Sequence, residues 1–167
     1  MPAESWDIAA LQRRCWGEAT DPSTRSVLNG VDLATMAEAW HGAITRPPEA
    51  RCRVLVAIAG GRVVGLATTL PSQDPDANPA VDGAVDELLV DPAARRRGHG
   101  SRLVHACIDT LVADGFSRAR HWLRADDDVR RAFLAEAGWA PDGAHREIGS
   151  EDDSVRIKQI RLHTAIG

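Results

Sequence analysis

The sequence predicts a mixed α/β fold in a single domain over residues 1–167. Helical and strand patterns alternate along the chain, with no internal repeat and no linker long enough to divide it. A chain of 167 residues can also bury a substantial core without cross-links. Together these observations favour one compact sheet-and-helix domain.

The composition predicts a soluble, cytoplasmic protein that binds neither membrane nor nucleic acid. Apolar residues make up 44% of the chain, but no stretch approaches the length of a membrane span, and the start lacks the features of a secretion signal. Cys15, Cys52 and Cys107 are odd in number and lack CxxC spacing, which favours reduced thiols and no metal site. A net charge of -4 argues against a nucleic-acid partner.

The first part of the chain predicts two helices separated by a loop. Apolar residues recur at helical spacing over 7–16. The stretch 19–30 is rich in turn-forming residues and predicts a loop. A second helix is expected from about Leu33 and ends before Pro47, because a residue that precedes proline avoids helical backbone.

Three strands are predicted next. Two apolar runs over 53–70 are joined by Gly60-Gly61, and glycine tolerates the positive φ angles of a tight hairpin turn. Residues 71–83 predict a loop and 84–90 a third strand.

The second half of the chain predicts two helices and three strands. A long helix follows the third strand and ends near Gly115. Residues 118–124 predict a strand, and 126–139 a short helix with aspartates at its start. Residues 145–149 and 154–163 predict a hairpin around SEDD.

The connection from strand 84–90 into the long helix carries the strongest functional signal. It reads DPAARRRGHG, residues 91–100. A phosphate-binding P-loop would need a lysine, which is absent here. A dinucleotide-binding turn would need a third glycine where Leu103 stands.

A third anion-binding design fits better. The pyrophosphate loop of acyl-CoA-dependent N-acetyltransferases, R/Q-x-x-G-x-G/A, is similar to Arg95–Gly100. Gly98 and Gly100 would let amide N–H groups face a diphosphate closely, and the following helix would present the positive end of its dipole. Flanking arginines would add charge-assisted bonds. The six residues alone also fit an ordinary strand-to-helix turn with solvated arginines.

Over nearly its whole length the chain resembles the GNAT superfamily of N-acetyltransferases. LLVDPAARRRGHGSRLV resembles that family's fourth strand, acyl-CoA loop and third helix, and LRADDDVRRAFLAEAGW resembles the end of its fifth strand and a short helix that closes with Gly138-Trp139. The resemblance implies a mixed, mostly antiparallel sheet flanked by about four helices, with an acyl-CoA cleft where the fourth and fifth strands splay. The family's first strand is missing or very short here.

The resemblance implies acetyl-CoA as the acyl donor. The backbone of Leu88–Val90 would bond the pantetheine arm, and the amides from Arg96 to Ser101 would cradle the diphosphate. Asp127 stands where many relatives have an asparagine that meets the cofactor, although Asp126–Asp128 fits a helix N-cap equally well. The predicted cofactor-binding residues are Leu88, Leu89, Val90, Arg95, Arg96, Arg97, Gly98, His99, Gly100, Ser101 and Asp127.

Amine acetylation also needs a base and a route for a proton to the departing thiolate. Glu87 is the predicted base, since the family often carries a carboxylate there; an edge-facing or salt-bridged glutamate is the alternative. The tyrosine that serves many relatives as general acid aligns with Leu134, and this chain has no tyrosine. Direct proton transfer within the tetrahedral intermediate, a water, or His121 if its side chain faces the cleft could substitute for it.

The predicted acceptor is a primary amine of a small molecule or protein. The resemblance places its entry between 17–32 and 149–154, where Glu151–Asp153 would attract a cation or form a solvated turn. Trp122 is a further candidate to line that pocket. Dimerisation is common in the family and extends to this chain as an expectation, with no residue that indicates the pairing surface.

Three functions therefore compete. The preferred one is an N-acetyltransferase in which the amine attacks acetyl-CoA directly. The alternative is a non-catalytic acyl-CoA sensor on the same fold, which the absent tyrosine favours slightly. A nucleotide or nucleic-acid binder that uses Arg95–Arg97 is a third hypothesis, which the acidic net charge disfavours.

Overall fold

The computed structural model describes residues 3–18 and 22–167. Within them the chain forms five α-helices, one 3₁₀ turn and six strands. The helices are α1 (Ala3–Trp16), α2 (Pro22–Asn29), α3 (Leu33–Thr45), α4 (His99–Ala113) and α5 (Asp128–Glu136), and the 3₁₀ turn is Pro92–Ala94. The strands are β1 (Arg53–Ala59), β2 (Arg62–Pro71), β3 (Asp82–Val90), β4 (Arg118–Arg124), β5 (Ala140–Gly149) and β6 (Arg156–Ala165).

The six strands form one mixed sheet in the order β1-β2-β3-β4-β6-β5. The pairs β1–β2, β4–β6 and β5–β6 are antiparallel, whereas β3 runs parallel to β4. The parallel pair is short: its register covers only Asp82–Ala84 against Arg118–Arg120. The predicted α/β class, with a mostly antiparallel sheet and flanking helices, is confirmed.

The first of two compact units comprises Met1–Thr69 and Glu87–Cys107. Its core joins helix and strand residues, because α1 and β2 each place apolar side chains on one face. The buried members are Ile8, Leu11, Val63 and Leu66, with Ala9, Met36 and Ala37 in an adjoining cluster. Gly65 allows α4 to approach β2, since an added Cβ would lie 2.8 Å from Leu103 Cδ1.

The second unit comprises Leu70–Asp86 and Ile108–Gly167. Its buried apolar residues come from β3, α4, β4, α5, β6 and two connecting turns, and none comes from β5: Val85, Leu111, Phe116, Ala119, Leu123, Leu134, Trp139 and Leu162. Gly83 leaves room for this packing, because an added Cβ would lie 2.6 Å from Leu111 Cδ2 and 3.0 Å from Phe116.

The hairpin between β1 and β2 confirms the glycine-turn prediction. Gly60 and Gly61 adopt φ angles of 56° and 74°, which favour glycine, and Ala59 pairs with Arg62 across the turn. The predicted strand at 118–124 is also confirmed with the same bounds as β4.

The predicted loop over 19–30 is wrong for the part that the structure describes. Residues 22–29 form α2, while 19–21 lie outside the described residues. Pro22 occupies the first helical position, where a missing N–H costs nothing and the fixed φ angle suits a helix. The Gly30 amide bonds back to the Ser26 carbonyl at 3.1 Å. The turn-forming residues therefore start and end a helix here.

Candidate active site

The predicted anion loop adopts a backbone that suits close approach of an anion. Gly98 has a φ of 81°, and Arg96 also adopts the left-handed region at 62°. Helix α4 begins at the next residue, His99, and Gly98 provides a carbonyl for the Arg102 amide at 3.1 Å. The amides at the start of α4 have no partner inside the helix, so they and the positive end of the dipole are available to an anion. The side chains of Arg96 and Arg97 are exposed.

Asp91, the first residue of the connection 91–100, holds the start of this loop in place. Its carboxylate accepts from the Ala93 amide at 3.0 Å and from Arg14 Nε at 3.0 Å, and its own amide bonds to Val64 O. Burial opposes its ionisation, but the Ala93 amide and the Arg14 guanidinium outweigh that effect and lower the pKa of Asp91. An ionised Asp91 therefore anchors the loop to α1.

Arg95 differs from its two neighbours because its side chain already has partners. Its Nη2 lies 2.5 Å from Glu18 Oε2, and its Nε donates to Val90 O at 3.4 Å. Both Arg95 and Glu18 are about half exposed. Arg96 and Arg97 are thus better placed than Arg95 to offer their charge to a ligand.

The strand segment Leu88–Val90 lies directly before this loop, as predicted. Leu88 is buried, while Leu89 and Val90 are half-buried. The Val90 carbonyl also accepts from Cys15 Sγ at 3.6 Å. Burial raises the pKa of Cys15 to about 11, which keeps the thiol protonated as a donor.

Glu87 belongs to a series of hydrogen bonds in the first unit that links Trp40, Gln12 and Glu87. Trp40 Nε1 donates to Gln12 Oε1 at 2.9 Å, and Gln12 Nε2 donates to Glu87 Oε1 at 3.5 Å. An indole N–H can only donate, so it fixes the Gln12 amide with its nitrogen toward the carboxylate. The Glu87 amide donates to Thr68 Oγ1 at 2.9 Å. Glu87 is half-buried, with both its backbone and its carboxylate held.

His121 lies on β4 in the second unit and is only 2% exposed. Its Nδ1 lies 2.7 Å from the Val85 carbonyl, which can only accept, so Nδ1 carries the proton. Burial lowers the pKa of His121 from 6.5 to about 4, against the opposing effect of this bond. The ring is therefore neutral at pH 7, and Nε2 is unprotonated; within the described residues it has no hydrogen-bond partner.

Asp127 and Leu134 also belong to the second unit. Asp127 is the N-cap of α5, where its carboxylate accepts from the Arg130 amide at 3.0 Å. Leu134, at the position of the family's tyrosine, is 1% exposed and forms part of the core.

An ionic layer covers one side of β4 and β6 in the second unit. Arg161 Nη1 lies 3.0 Å from Asp74 and 2.7 Å from Asp76, and Arg120 Nη1 lies 2.9 Å from Asp76. Trp122 Nε1 donates to Asp74 at 2.8 Å. The guanidinium of Arg146 lies over the Trp122 ring, with its Cζ atom 4.2 Å from the ring centroid. Trp122 is thus enclosed by charged neighbours that already satisfy it.

His99, predicted at the cofactor loop, contributes its side chain to a different feature. It is 8% exposed and lines a cavity of about 260 Å³ in the first unit. The other lining residues are Leu55, Val56, Ala57, Ile58, Arg102, Leu103 and Ala106. The backbone amide of His99 stands at the start of α4, and a contact of its side chain with the cofactor stays a prediction.

The acidic hairpin tip proves to be largely self-contained. Asp152 accepts from Ser150 Oγ at 2.6 Å and from the Ser154 amide at 3.1 Å, and these bonds lower its pKa to about 2. Asp153 lies 3.2 Å from Arg156. These contacts are those of a solvated turn, and the predicted attraction of a cationic acceptor stays a prediction.

The sequence did not reveal three residues that shape the site: Gln12, Arg14 and Trp40. Each occupies a helix and meets its partner only through the fold, since Gln12 and Glu87 are 75 residues apart and Arg14 and Asp91 are 77 apart. The one available signal was Gln12, a glutamine among the apolar residues of a helix, because a buried amide needs a hydrogen-bond partner. The first unit thus brings together Glu87, Leu88–Val90 and residues 95–101, whereas His121 and Asp127 lie in the second.

Comparison with known proteins gives one family and several solved structures of one fold. The acetyltransferase (GNAT) family matches residues 7–139. The mycothiol acetyltransferase of Kineococcus radiotolerans is 38% identical over 85 residues, which are 51% of this chain and 26% of that protein. That of Beutenbergia cavernae is 31% identical over 70 residues, which are 42% of this chain and 24% of that protein. This chain therefore spans about a quarter of the curated relatives that it matches.

Solved structures show the same fold. A ribosomal-protein-alanine N-acetyltransferase from Brucella melitensis has a TM-score of 0.74 at 18% identity and covers 98% of this chain and 95% of its own. The Salmonella typhimurium protein yncA, solved with its cofactor acetyl-CoA, has a TM-score of 0.72 at 14% identity, with 99% and 90% covered. At such identities the likeness concerns the fold alone.

Proposed function

We propose that this chain, which belongs to the acetyltransferase (GNAT) family, transfers an acetyl group from acetyl-CoA to a primary amine. The observation that carries the proposal is the anion loop: Gly98 at a φ of 81° leads directly into α4, with exposed Arg96 and Arg97 beside it. Bare backbone, a helix start and two exposed cations at one place suit a diphosphate.

The donor would be held by the first unit. The amides from Arg96 to Ser101 would bond the diphosphate, and the Leu88–Val90 backbone would bond the pantetheine arm. Arg95 would contribute less, because Glu18 and Val90 O already occupy its guanidinium. Asp127 is the weakest of the predicted contacts, since capping of α5 occupies its carboxylate.

Glu87 would act as the base. The ammonium of the acceptor must lose a proton before its nitrogen attacks the thioester carbon, and a held carboxylate can take that proton directly or through water. The Gln12 amide supports this role because it donates to Glu87 Oε1 at 3.5 Å and orients the carboxylate. The nitrogen attacks the carbonyl carbon to form the C–N bond, the C–S bond then breaks, and the second proton that the nitrogen loses passes to the leaving thiolate.

Water is proposed to relay this proton from the nitrogen to the thiolate. Leu134 has no proton to give, and the one ring proton of neutral His121 is on Nδ1, which donates to Val85 O. The general-acid role of His121 therefore stays a prediction that would need the ring to be protonated first. A general acid contributes about a hundred- to ten-thousand-fold in other enzymes. Without one, turnover is expected to be slow.

The proposed acceptor is a small-molecule amine. The curated relatives are named for a small molecule, mycothiol, which favours this class over a protein acceptor. The Brucella melitensis neighbour is named for a ribosomal protein, but its identity of 18% carries no argument about substrate. We further propose a cytoplasmic location, which free Cys15, Cys52 and Cys107 support. No described helix is long and apolar enough to cross a bilayer.

Two neighbouring carboxylates on β3 provide a matched test. Acetyl-CoA is titrated by calorimetry, and thiol release is then measured with a panel of small amines. Glu87→Gln is expected to lose about a hundredfold or more in turnover and to keep its affinity for acetyl-CoA. Asp86→Asn, which changes an exposed carboxylate on the same strand, is expected to keep both.

Each other outcome has a defined meaning. Equal turnover in wild-type protein and Glu87→Gln would exclude Glu87 as the base. Binding without thiol release across the panel would favour the acyl-CoA sensor.

A further inference from the structure

His121 replaces a backbone contact at the point where two strands stop pairing. The register of β3 and β4 pairs Asp82 with Arg118 and ends with Ala84 and Arg120. If it continued, the next pair would be Val85 and His121. The imidazole of His121 itself bonds the Val85 carbonyl, at 2.7 Å.

The other edge of β4 stays fully paired at this point. His121 pairs with Leu162 of β6, and the pairing continues to Arg124 and Gln159. Only the edge of β4 toward β3 loses its ladder. The backbone of His121 is therefore held by β6, while its imidazole ring bonds one carbonyl of β3, that of Val85. Because the ring is rigid, it fixes the distance between β4 and this carbonyl.

We propose that His121 is a positioning residue for acetyl-CoA binding, because its side chain sets the course of β3 beyond Ala84. Val85 lies three residues before Leu88 on the same strand. The ring bonds the Val85 carbonyl just beyond the last pair in the register of the two strands, Ala84 and Arg120, and a buried carbonyl needs such a partner. The orientation of the backbone that enters Leu88–Val90 then depends on this bond. This inference rests on the proposed function.

The bond and the proposed acid role need different nitrogens, so they can be separated. Asparagine places an amide N–H close to the position of Nδ1 and has nothing at Nε2. His121→Asn should therefore keep the bond to Val85 O and remove any acid–base function. His121→Leu removes both nitrogens and keeps an apolar side chain in the core. His163→Leu, on neighbouring β6 and half-buried, controls for loss of a histidine from this sheet.

The experiment measures acetyl-CoA affinity by calorimetry and the pH dependence of thiol release for the full chain. His121→Leu is expected to bind acetyl-CoA about tenfold more weakly, because small displacements of binding groups are costly. His121→Asn is expected to restore affinity to within about threefold, with the pH profile of the wild-type protein between pH 6 and 9. His163→Leu should leave both measurements unchanged.

Three results would overturn the proposal. One is a folded His121→Leu variant that binds acetyl-CoA as wild type does. The others are a His121→Asn variant that binds as weakly as the leucine variant and one that loses a limb of the pH profile. If the leucine variant does not fold, the asparagine variant alone decides.

Nuclear magnetic resonance of the ¹⁵N-labelled histidine ring provides a test that needs no ligand. The proton is expected on Nδ1 at pH 7, and a proton on Nε2 would overturn the proposal. If the wild-type protein binds no acetyl-CoA, the proposed function fails, while the ring spectrum still reports on the bond itself.

Discussion

Gly98 offers a direct way to perturb the anion loop without adding charge or bulk. An added methyl group would meet only the Arg102 side chain, at 3.5 Å, so Gly98→Ala creates no clash. The cost comes from the backbone: a φ of 81° disfavours any residue with a Cβ. For an L-residue the left-handed region costs about 1–2 kcal/mol.

Gly115 is a matched control for that cost. It has a φ of 91°, an added Cβ would meet nothing within 4 Å, and it follows the far end of α4. For a chain of this size each kcal/mol lowers the melting temperature by about 2–4 °C. Gly98→Ala and Gly115→Ala are therefore both expected to lower it by about 2–8 °C.

Only the loop variant should affect the ligand. If the loop relaxes to a negative φ, its amides turn away from the diphosphate, and acetyl-CoA affinity should fall about tenfold or more, equivalent to about 1.4 kcal/mol. Calorimetric titration of both variants measures this difference. Equal affinity in Gly98→Ala and Gly115→Ala, with both destabilised alike, would refute the assignment of this loop to the diphosphate.

The remaining predictions concern the polar groups around and beyond the loop. Gln12→Leu should lower turnover about tenfold with little change in acetyl-CoA affinity, because Glu87 loses the amide that orients it; Trp40→Phe, which removes only the N–H that fixes Gln12, should lower turnover less. Stability should fall as pH falls from about 6.5 toward 4, because unfolded His121 takes up a proton there while the folded ring, with its pKa lowered to about 4, does not. Chemical denaturation of wild type and His121→Asn at pH 7 and pH 4.5 should show a smaller loss in the variant, and an equal loss would contradict the neutral ring. Asp82→Asn should destabilise the protein at pH 7 by about 3 kcal/mol, since Asp82 is fully buried and lies 2.5 Å from Arg118 and 3.2 Å from Arg120. Burial raises the pKa of Asp82, but the guanidinium and amide donors outweigh it and lower the pKa in the folded state, so this difference should begin to shrink as the pH falls below about 4. A difference that is the same at pH 7 and at the lowest pH at which both proteins fold would contradict the ionic assignment.

The elements that sequence predicted well are those with local signals. The hairpin at Gly60-Gly61 follows from two residues that tolerate positive φ, and β4 follows from seven residues of strand pattern between a glycine turn and an aspartate cluster. The prediction of a loop over 22–29 was wrong because the local signals there point away from the helix that forms. Its serines, threonine and asparagine are turn formers by composition, and its one clear helical signal is a proline at the first position.

The site was predictable only where a short motif carried it. Arg95–Gly100 could be proposed as an anion loop from the amino-acid sequence alone, because its glycine spacing lies within six residues, and Gly98 does adopt a positive φ angle. The support for Glu87 could not, since Gln12 and Glu87 are 75 residues apart and meet only through packing of α1 on the sheet. The ionic layer of the second unit is also nonlocal, with 87 residues between Asp74 and Arg161.

The most direct measurement compares acetyl-CoA with S-acetylpantetheine, which keeps the thioester and the pantetheine arm and lacks the diphosphate and the nucleoside. If the loop at Arg96–Ser101 binds the diphosphate of an acyl donor, acetyl-CoA should bind at least about tenfold more tightly and release its thiol with an amine acceptor, whereas Gly98→Ala should reduce that preference. Equal affinity for the two thioesters, or no binding of acetyl-CoA at all, would contradict the role of this loop.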